Sequence, residues 1–317
     1  MTWPAALLPT AGVALLLLLV PPFLSSFLLA LVTQALIQAI LAMSLDIMLG
    51  YIGLASLGHA AYLGLGAYSV GIPATRYGAG FWTTLGLGLV LASSVAAVFG
   101  LVALRAVGVY FLMITLALGM VVWGLAHRWV SMTQGDNGVS GVPRPDLGLP
   151  WSVADGLNFY YLALVAFGLA LGLLWVIVHS PFGKTLVGIR ESESRMRTLG
   201  YHVWLHKYIG FIIAGGVGGF AGVLWAYYNG FVSPADLELT TSVKILLMVA
   251  LGGRGTLLGP ALGALLIVLL ENLVSVYTHR WLLILGAVYI GTIVYAPEGI
   301  AGALRQWRKG ERVWARS

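Results

Sequence analysis

The chain has 317 residues, of which 60% are hydrophobic and only 9% charged, with a net charge of +6. Soluble domains carry about 25% charged residues, so a water-facing surface is excluded and the chain reads as an integral membrane protein. It has no cysteine, which removes disulfides, thiolate metal sites and cysteine nucleophiles, and its six histidines form no HExxH motif.

Apolar runs of about 18 residues or more recur, each long enough to cross about 30 Å of hydrocarbon as a helix. They are continuous rather than alternating, which points to an all-α polytopic protein and away from a β-barrel. The N-terminal run lacks a charged leader and an AxA site, so it reads as a first span, Ala6 to Val20, closed by Pro21 and Pro22. The second span is Phe27 to Leu49, with Gln34 and Gln38 one turn apart. The third is Gly50 to Ile72, whose glycines, among them Gly50, Gly53, Gly58, Gly64 and Gly66, let backbones come close or let the helix break. Pro73 then opens a short loop. The fourth and fifth spans are Phe81 to Leu104 and Tyr110 to His127.

A polar stretch from Arg128 to Phe159 follows, rich in turn chemistry such as Gly-Asp-Asn-Gly and Pro-Arg-Pro. The sixth span is Tyr160 to Val178. Then comes a basic segment, 179–208, with Lys184, Arg190, Arg195, Arg197 and Lys207 against Glu191 and Glu193. Leu186, Ile189, Met196 and Leu199 recur there at helical spacing between Gly183 and Gly200, which predicts an amphipathic helix of about four turns. Such a helix suits a groove on a soluble partner or the membrane surface. The seventh span is Ile209 to Tyr228, with GGVGG from Gly215 to Gly219. A short eighth, Val243 to Leu251, stops at Gly-Gly-Arg-Gly. The ninth is Leu257 to Glu271 and the tenth Trp281 to Tyr295, before a basic cytoplasmic tail, 298–317.

Ten spans with both termini inside place Arg105, the five basic residues of 179–208, Arg254 and five tail residues on the inner side, twelve of the seventeen lysines and arginines. That excess sets the orientation and explains the net charge without nucleic acid. The spans group as one, four, one, four, and blocks 27–128 and 209–295 would start on opposite sides. This is the parity of an inverted four-span repeat.

Few residues could carry chemistry. Asp46 and Glu271 lie near span ends, where an interfacial anchor is the plain expectation. Ser56 and His59 form a polar pair inside the third span, and Gln34, Gln38 and Thr115 are polar groups in others. For these five, hydrogen bonding between helices is the bland reading and a polar translocation path the functional one. No acid, base or metal cluster suggests catalysis. No span carries the paired acid and base expected of an ion-driven carrier, so the energy should enter through the basic segment.

SPFGKTLVGIRESESRMRTLGYHVWLHKY, GYIGLASLGHAAYLGLGAY, YFLMITLALG, GDNGVSGVPRP, YYNGFVSPADLELTTSVKILLMVALGGRGTLLGPALGA and YAPEGIAG occur in that family's order and form, and through them the chain resembles the permeases of branched-chain amino acid ABC transporters, the LivM-type subunit. The resemblance covers nearly everything after the first span. It implies a single transmembrane permease domain, 1–317, similar to type II ABC importer permeases, in a bacterial cytoplasmic (inner) membrane. The cargo implied is a branched-chain, aliphatic amino acid; urea, amides or another small organic solute are the alternatives within the family, and an ion-coupled secondary carrier is the alternative outside it. It also implies four kinds of partner: membrane lipid, a second, LivH-type permease forming a heterodimer, two cytoplasmic ATPase subunits, and a periplasmic or lipid-anchored solute-binding protein. Arg190, Glu191, Glu193 and Gly200 match the coupling motif, and Lys184 opens the same stretch, although serines stand where alanines are usual in better-known importers. ATP and Mg would be used by the partners; this chain has no complete GxxxxGKS/T phosphate loop, since Val178 stands where the first glycine would be, and no cofactor and no metal of its own.

Overall fold

The computed structural model describes residues 17–148 and 155–277, with isolated positions between 283 and 302. Helix α1, Ser26–Asp46, continues through a π turn, Ile47–Ile52, as one 27-residue span. Ser25 starts it, its hydroxyl accepting from the Leu28 N–H at 3.4 Å. Gly53, at φ 84°, ends it, because the left-handed conformation costs glycine nothing. The chain then runs irregularly through 53–59 into α2, Ala60–Tyr77.

Next come α3, Phe81–Ala103, α4, Val109–Arg128, and the one-turn α5, Val130–Thr133. A loop containing β1, Val139–Ser140, precedes α6, Gly156–His179. The basic segment holds α7, Pro181–Glu191, and α8, Glu193–Thr198. Helix α9 is Val203–Asn229. It is followed by β2, Phe231–Val232, a 3-10 turn at Pro234–Leu237, α10, Leu239–Gly252, and α11, Leu258–Tyr277.

Among the described residues, six helices are long and apolar enough to cross a membrane: α1 with its π turn, α3, α4, α6, α9 and α11. Helix α10, a shorter apolar helix, holds the stretch expected as the eighth span. The first expected span lies outside the described residues except for its end, and the tenth and the tail lie largely outside them.

Three expectations are corrected. The third span is not a helix from Gly50: 53–59 is irregular, helix begins at Ala60, and Pro73 sits inside it rather than in a loop. The four-turn amphipathic helix is two helices, broken at Ser192 (φ −160°, ψ 98°), whose hydroxyl caps α8 through the Arg195 N–H. Helix α9 starts at Val203, so the end of the basic segment is already helical.

The bundle is built around α1 and α9. In each, 72% of the apolar stretch is buried, against 22–33% for the other four long helices. They are antiparallel: Tyr228 donates to the Ala30 carbonyl (2.9 Å) at one end, and Gly210 faces Ile52 at the other. Helix α9 packs closely because its small residues admit neighbouring backbones. A Cβ on Gly222 would lie 2.0 Å from the Leu63 carbonyl of α2, and one on Gly215 would lie 2.3 Å from Ala96 of α3. Helices α3, α4 and α6 expose long apolar faces such as Val90, Val121 and Leu169, as lipid-facing helices do.

Candidate functional site

Helix α7 turns one face to the bundle. Leu186 and Ile189 are buried, while Lys184 is exposed. Ser180 caps the helix through the Gly183 N–H, with Pro181 at its first position. This register carries Arg190 to the end of α1, where its Nη1 donates to the carbonyl of Gly50. The α1 end needs such a donor, because the last carbonyls of a helix have no partners within it. The side chain lies against Gly53, where a Cβ would come 2.8 Å from the Arg190 Cγ.

Asp46 completes this junction. It is fully buried and its two oxygens accept from Gly255 N–H (2.7 Å) and Leu257 N–H (3.2 Å) in the Gly-Gly-Arg-Gly turn between α10 and α11. Asp46 is therefore not an interfacial anchor. It ties the turn to α1 at the point that Arg190 grips from α7. The signal was present in sequence: a buried carboxylate needs backbone donors, and a glycine-rich turn offers them.

The remaining coupling candidates divide. Glu191 is exposed, with its side chain 3.8 Å from Arg190. Glu193 points inward, accepting from Lys207 of α9 and Arg197 of α8, and so fastens α8 to the bundle. Gly200, at φ 86°, ends α8 with open space around it. A hollow of about 510 Å³ opens between α7 and the α8–α9 connection, bordered by Phe182, Gly188, Met196 and Tyr201.

Burial pushes the Glu193 carboxyl upward, but its hydrogen bonds and charge contacts with Lys207 and Arg197 outweigh that and hold it below the ordinary value. A carboxyl lowered in the folded state stabilises above its unfolded value and loses the contribution as pH falls through the folded one. The lock is thus complete at neutral pH and is lost only below the ordinary carboxylate range of about 4. A half-exposed pair of this kind is worth about 0.5–1 kcal/mol. E193Q should therefore speed tryptic cleavage after Arg195 and Arg197 by about 2- to 5-fold at pH 7; an unchanged rate would show that the lock does not hold α8.

Two irregular segments reach into the bundle. Segment 53–59 runs beside α4, where the Leu57 N–H donates to Thr115 Oγ1 (3.2 Å) and Gly58 lies against Gly119. Segment 230–238 enters from the opposite end, and Leu237 fills the notch at Gly64 of α2. The helices that follow them are joined: Ser242 of α10 accepts from the Ala60 N–H (3.1 Å) at the start of α2. His59 is fully buried, with Nε2 2.6 Å from Ser44 Oγ, and Ser56 accepts from the Gly58 N–H at 3.3 Å. Ser56, His59 and Thr115 are therefore brought together around one helix start. Gln38 is buried higher on α1, and Gln34 is half-buried another turn away.

One expectation fails here. Lys244 of α10 and Glu271 of α11 form a forked ion pair, at 2.8 and 2.9 Å. Helices of this bundle do carry a paired acid and base, and Glu271 is not a solitary anchor. The two are 27 residues apart on neighbouring helices, a separation that carries no periodic signal.

The pattern of the family described as branched-chain amino acid transport system / permease component matches residues 27–293. The chain belongs to this family. It is accordingly a transport component, not an enzyme. It is 31% identical to the high-affinity branched-chain amino acid transport system permease protein LivM of Escherichia coli (strain K12), over 84% of this chain and 68% of that one. It is 26% identical to the probable branched-chain amino acid transport permease protein LivM of Methanocaldococcus jannaschii, over 51% and 52%. The autoinducer 2 import system permease protein LsrC of Salmonella paratyphi B is 27% identical over 47% and 46%. No solved structure matches.

Proposed function

We propose that this permease forms half of the membrane path of an ATP-driven importer for branched-chain amino acids. The family match across 27–293, joined to the likeness to LivM over 84% of the chain, carries the reading. The protein resides in the bacterial cytoplasmic membrane, with 179–208 and both termini in the cytoplasm, where twelve of its seventeen basic residues then lie. Its partners are a LivH-type permease, two ATPases that bind ATP and Mg, and a periplasmic or lipid-anchored solute-binding protein. Ten spans form two inverted four-span blocks. What supports this is the pairing of two antiparallel 27-residue helices, each followed by an irregular segment that returns into the bundle and then by a shorter helix.

In the mechanism, ATP binding in the partners moves α7. Arg190 transmits the movement to the end of α1, and Asp46 carries the Gly-Gly-Arg-Gly turn with it. The joint of 53–59 and α10 then parts, and Ser56, His59 and Thr115, with Gln34 and Gln38 above them, line the opened path. Reconstitution of all subunits in vesicles tests the reading, with leucine uptake expected only when ATP and the binding protein are both present. Uptake driven by an ion gradient without the ATPases would overturn it.

Lys184, Glu191 and Gly200 remain exposed to meet the ATPase, whereas Glu193 is engaged within the chain. Charge reversal at Glu191 should therefore weaken ATPase copurification by about 10-fold, with the permease still inserted. Undiminished copurification would remove Glu191 from the docking surface.

A further inference from the structure

Arg190 has a counterpart at the other end of the bundle. Arg144, from the loop between α5 and α6, donates from Nη1 to the carbonyls of Tyr227 (3.1 Å) and Tyr228 (3.4 Å). Its guanidinium carbon lies 5.0 Å from the centre of the Phe159 ring in α6. The two carbonyls belong to the last turn of α9, where helix carbonyls lack partners and the dipole is negative.

The parallel with Arg190 extends beyond residue type. Each arginine comes from a polar segment between spans and caps the C-terminal end of one of the two central 27-residue helices. Beyond each capped end the chain passes a positive-φ glycine, Gly53 (φ 84°) or Gly230 (φ 66°), into an irregular segment that re-enters the bundle. The loop holding Arg144 grips that segment twice more. The Val142 N–H donates to the Gly230 carbonyl (3.1 Å), and Val139 pairs with Val232.

We propose that Arg144 is a positioning residue: it passes the arrival of the solute-binding protein on loop 130–148 to segment 230–238, as Arg190 passes the movement of α7 to segment 53–59. This rests on the importer reading above, which supplies both partners. A contiguous set of contacts joins the two ends. From Arg144 and Gly230 it runs along 230–238 to Leu237 in its notch at Gly64, then through Ser242 to the start of α2, and so to 53–59 and Arg190. One nitrogen reaches both carbonyls, so an ammonium could keep part of this contact, but it would lack the planar group that lies over the Phe159 ring.

The test uses the complete transporter in nanodiscs with its binding protein. Two quantities are measured: the ratio of binding-protein-stimulated to basal ATPase rate, and the affinity of the binding protein for the complex. R144Q is expected to lower the ratio at least about 10-fold with affinity changed less than about 3-fold, and R144K to restore part of it. In R144Q, amide hydrogen exchange should quicken over 230–238 and not over 53–59. The effects of R144Q and R190Q on the ratio should also be non-additive, since distant sites that share no element add. A full ratio in R144Q overturns the proposal, as does a loss of ratio matched by an equal loss of affinity, which would make Arg144 a docking contact. Absence of stimulation in the wild type would overturn the importer reading itself.

Discussion

Replacing Asp46 with alanine is expected to abolish coupled transport. The substitution leaves the N–H groups of Gly255 and Leu257 without their acceptor. Each buried donor left unpaired costs about 1–3 kcal/mol, so the turn between α10 and α11 loses about 2–6 kcal/mol of local support. Gly50 lies against Gly255, close enough that a Cβ would come 2.2 Å from its nitrogen. That contact depends on the turn being held in place. Once the turn is free, Arg190 still grips α1, but the movement of α1 no longer reaches α10. Leucine uptake per ATP hydrolysed should fall by at least about 30-fold, the equivalent of about 2 kcal/mol.

Three measurements keep this separate from simple misfolding. Complex assembly, followed by size-exclusion chromatography, should survive in D46A, because the helix packing of α1 on α9 does not use the carboxylate. D46N retains one acceptor oxygen and should give an intermediate loss. D46A and R190Q should be non-additive, because both act at one junction. Wild-type uptake per ATP in D46A would show that the junction is structural only.

Composition alone revealed the membrane class, and the long apolar runs marked α1, α3, α4, α6, α9 and α11 closely, because a helix that crosses the bilayer is apolar along one continuous stretch of sequence. The broken third span was harder to place. Gly53 and Gly58 marked a stretch where the backbone could bend, but the choice between break and close packing depends on partners at Thr115 and Ser242 that are distant in the chain. The Lys244–Glu271 pair and the Asp46 contacts were hidden for the same reason. The break at Ser192 had a local cause, a serine able to cap α8, but the hydrophobic spacing of Leu186, Ile189, Met196 and Leu199 masked it. Leu186 and Ile189 face the bundle while Leu199 is 66% exposed, so the stripe never formed one face. Arg144 lay in a proline-flanked loop that read only as turn chemistry; its role needs the end of α9 beside it.

Helix packing around α9 leads to a second large effect, with a sign that depends on position. Gly222→Ala places a Cβ 2.0 Å from the Leu63 carbonyl, and Gly66→Ala places one 2.0 Å from the Gly219 carbonyl. Both obstacles are backbone, which cannot rotate away, so α2 and α9 must separate. Overpacking of this kind costs about 1–3 kcal/mol at each site, and the separation strains the contact of Ser242 with the start of α2 and the notch that holds Leu237. Gly168 and Gly172 on α6 provide the contrast. Nothing lies within 4 Å of a Cβ at either, and glycine inside a helix is about 1 kcal/mol worse than alanine. Alanine there should be neutral or stabilising, whereas G222A should lower the apparent melting temperature in detergent by about 5 °C and reduce transport with it. Equal melting temperatures for G222A and G172A would mean that α2 and α9 do not approach as closely as this structure places them.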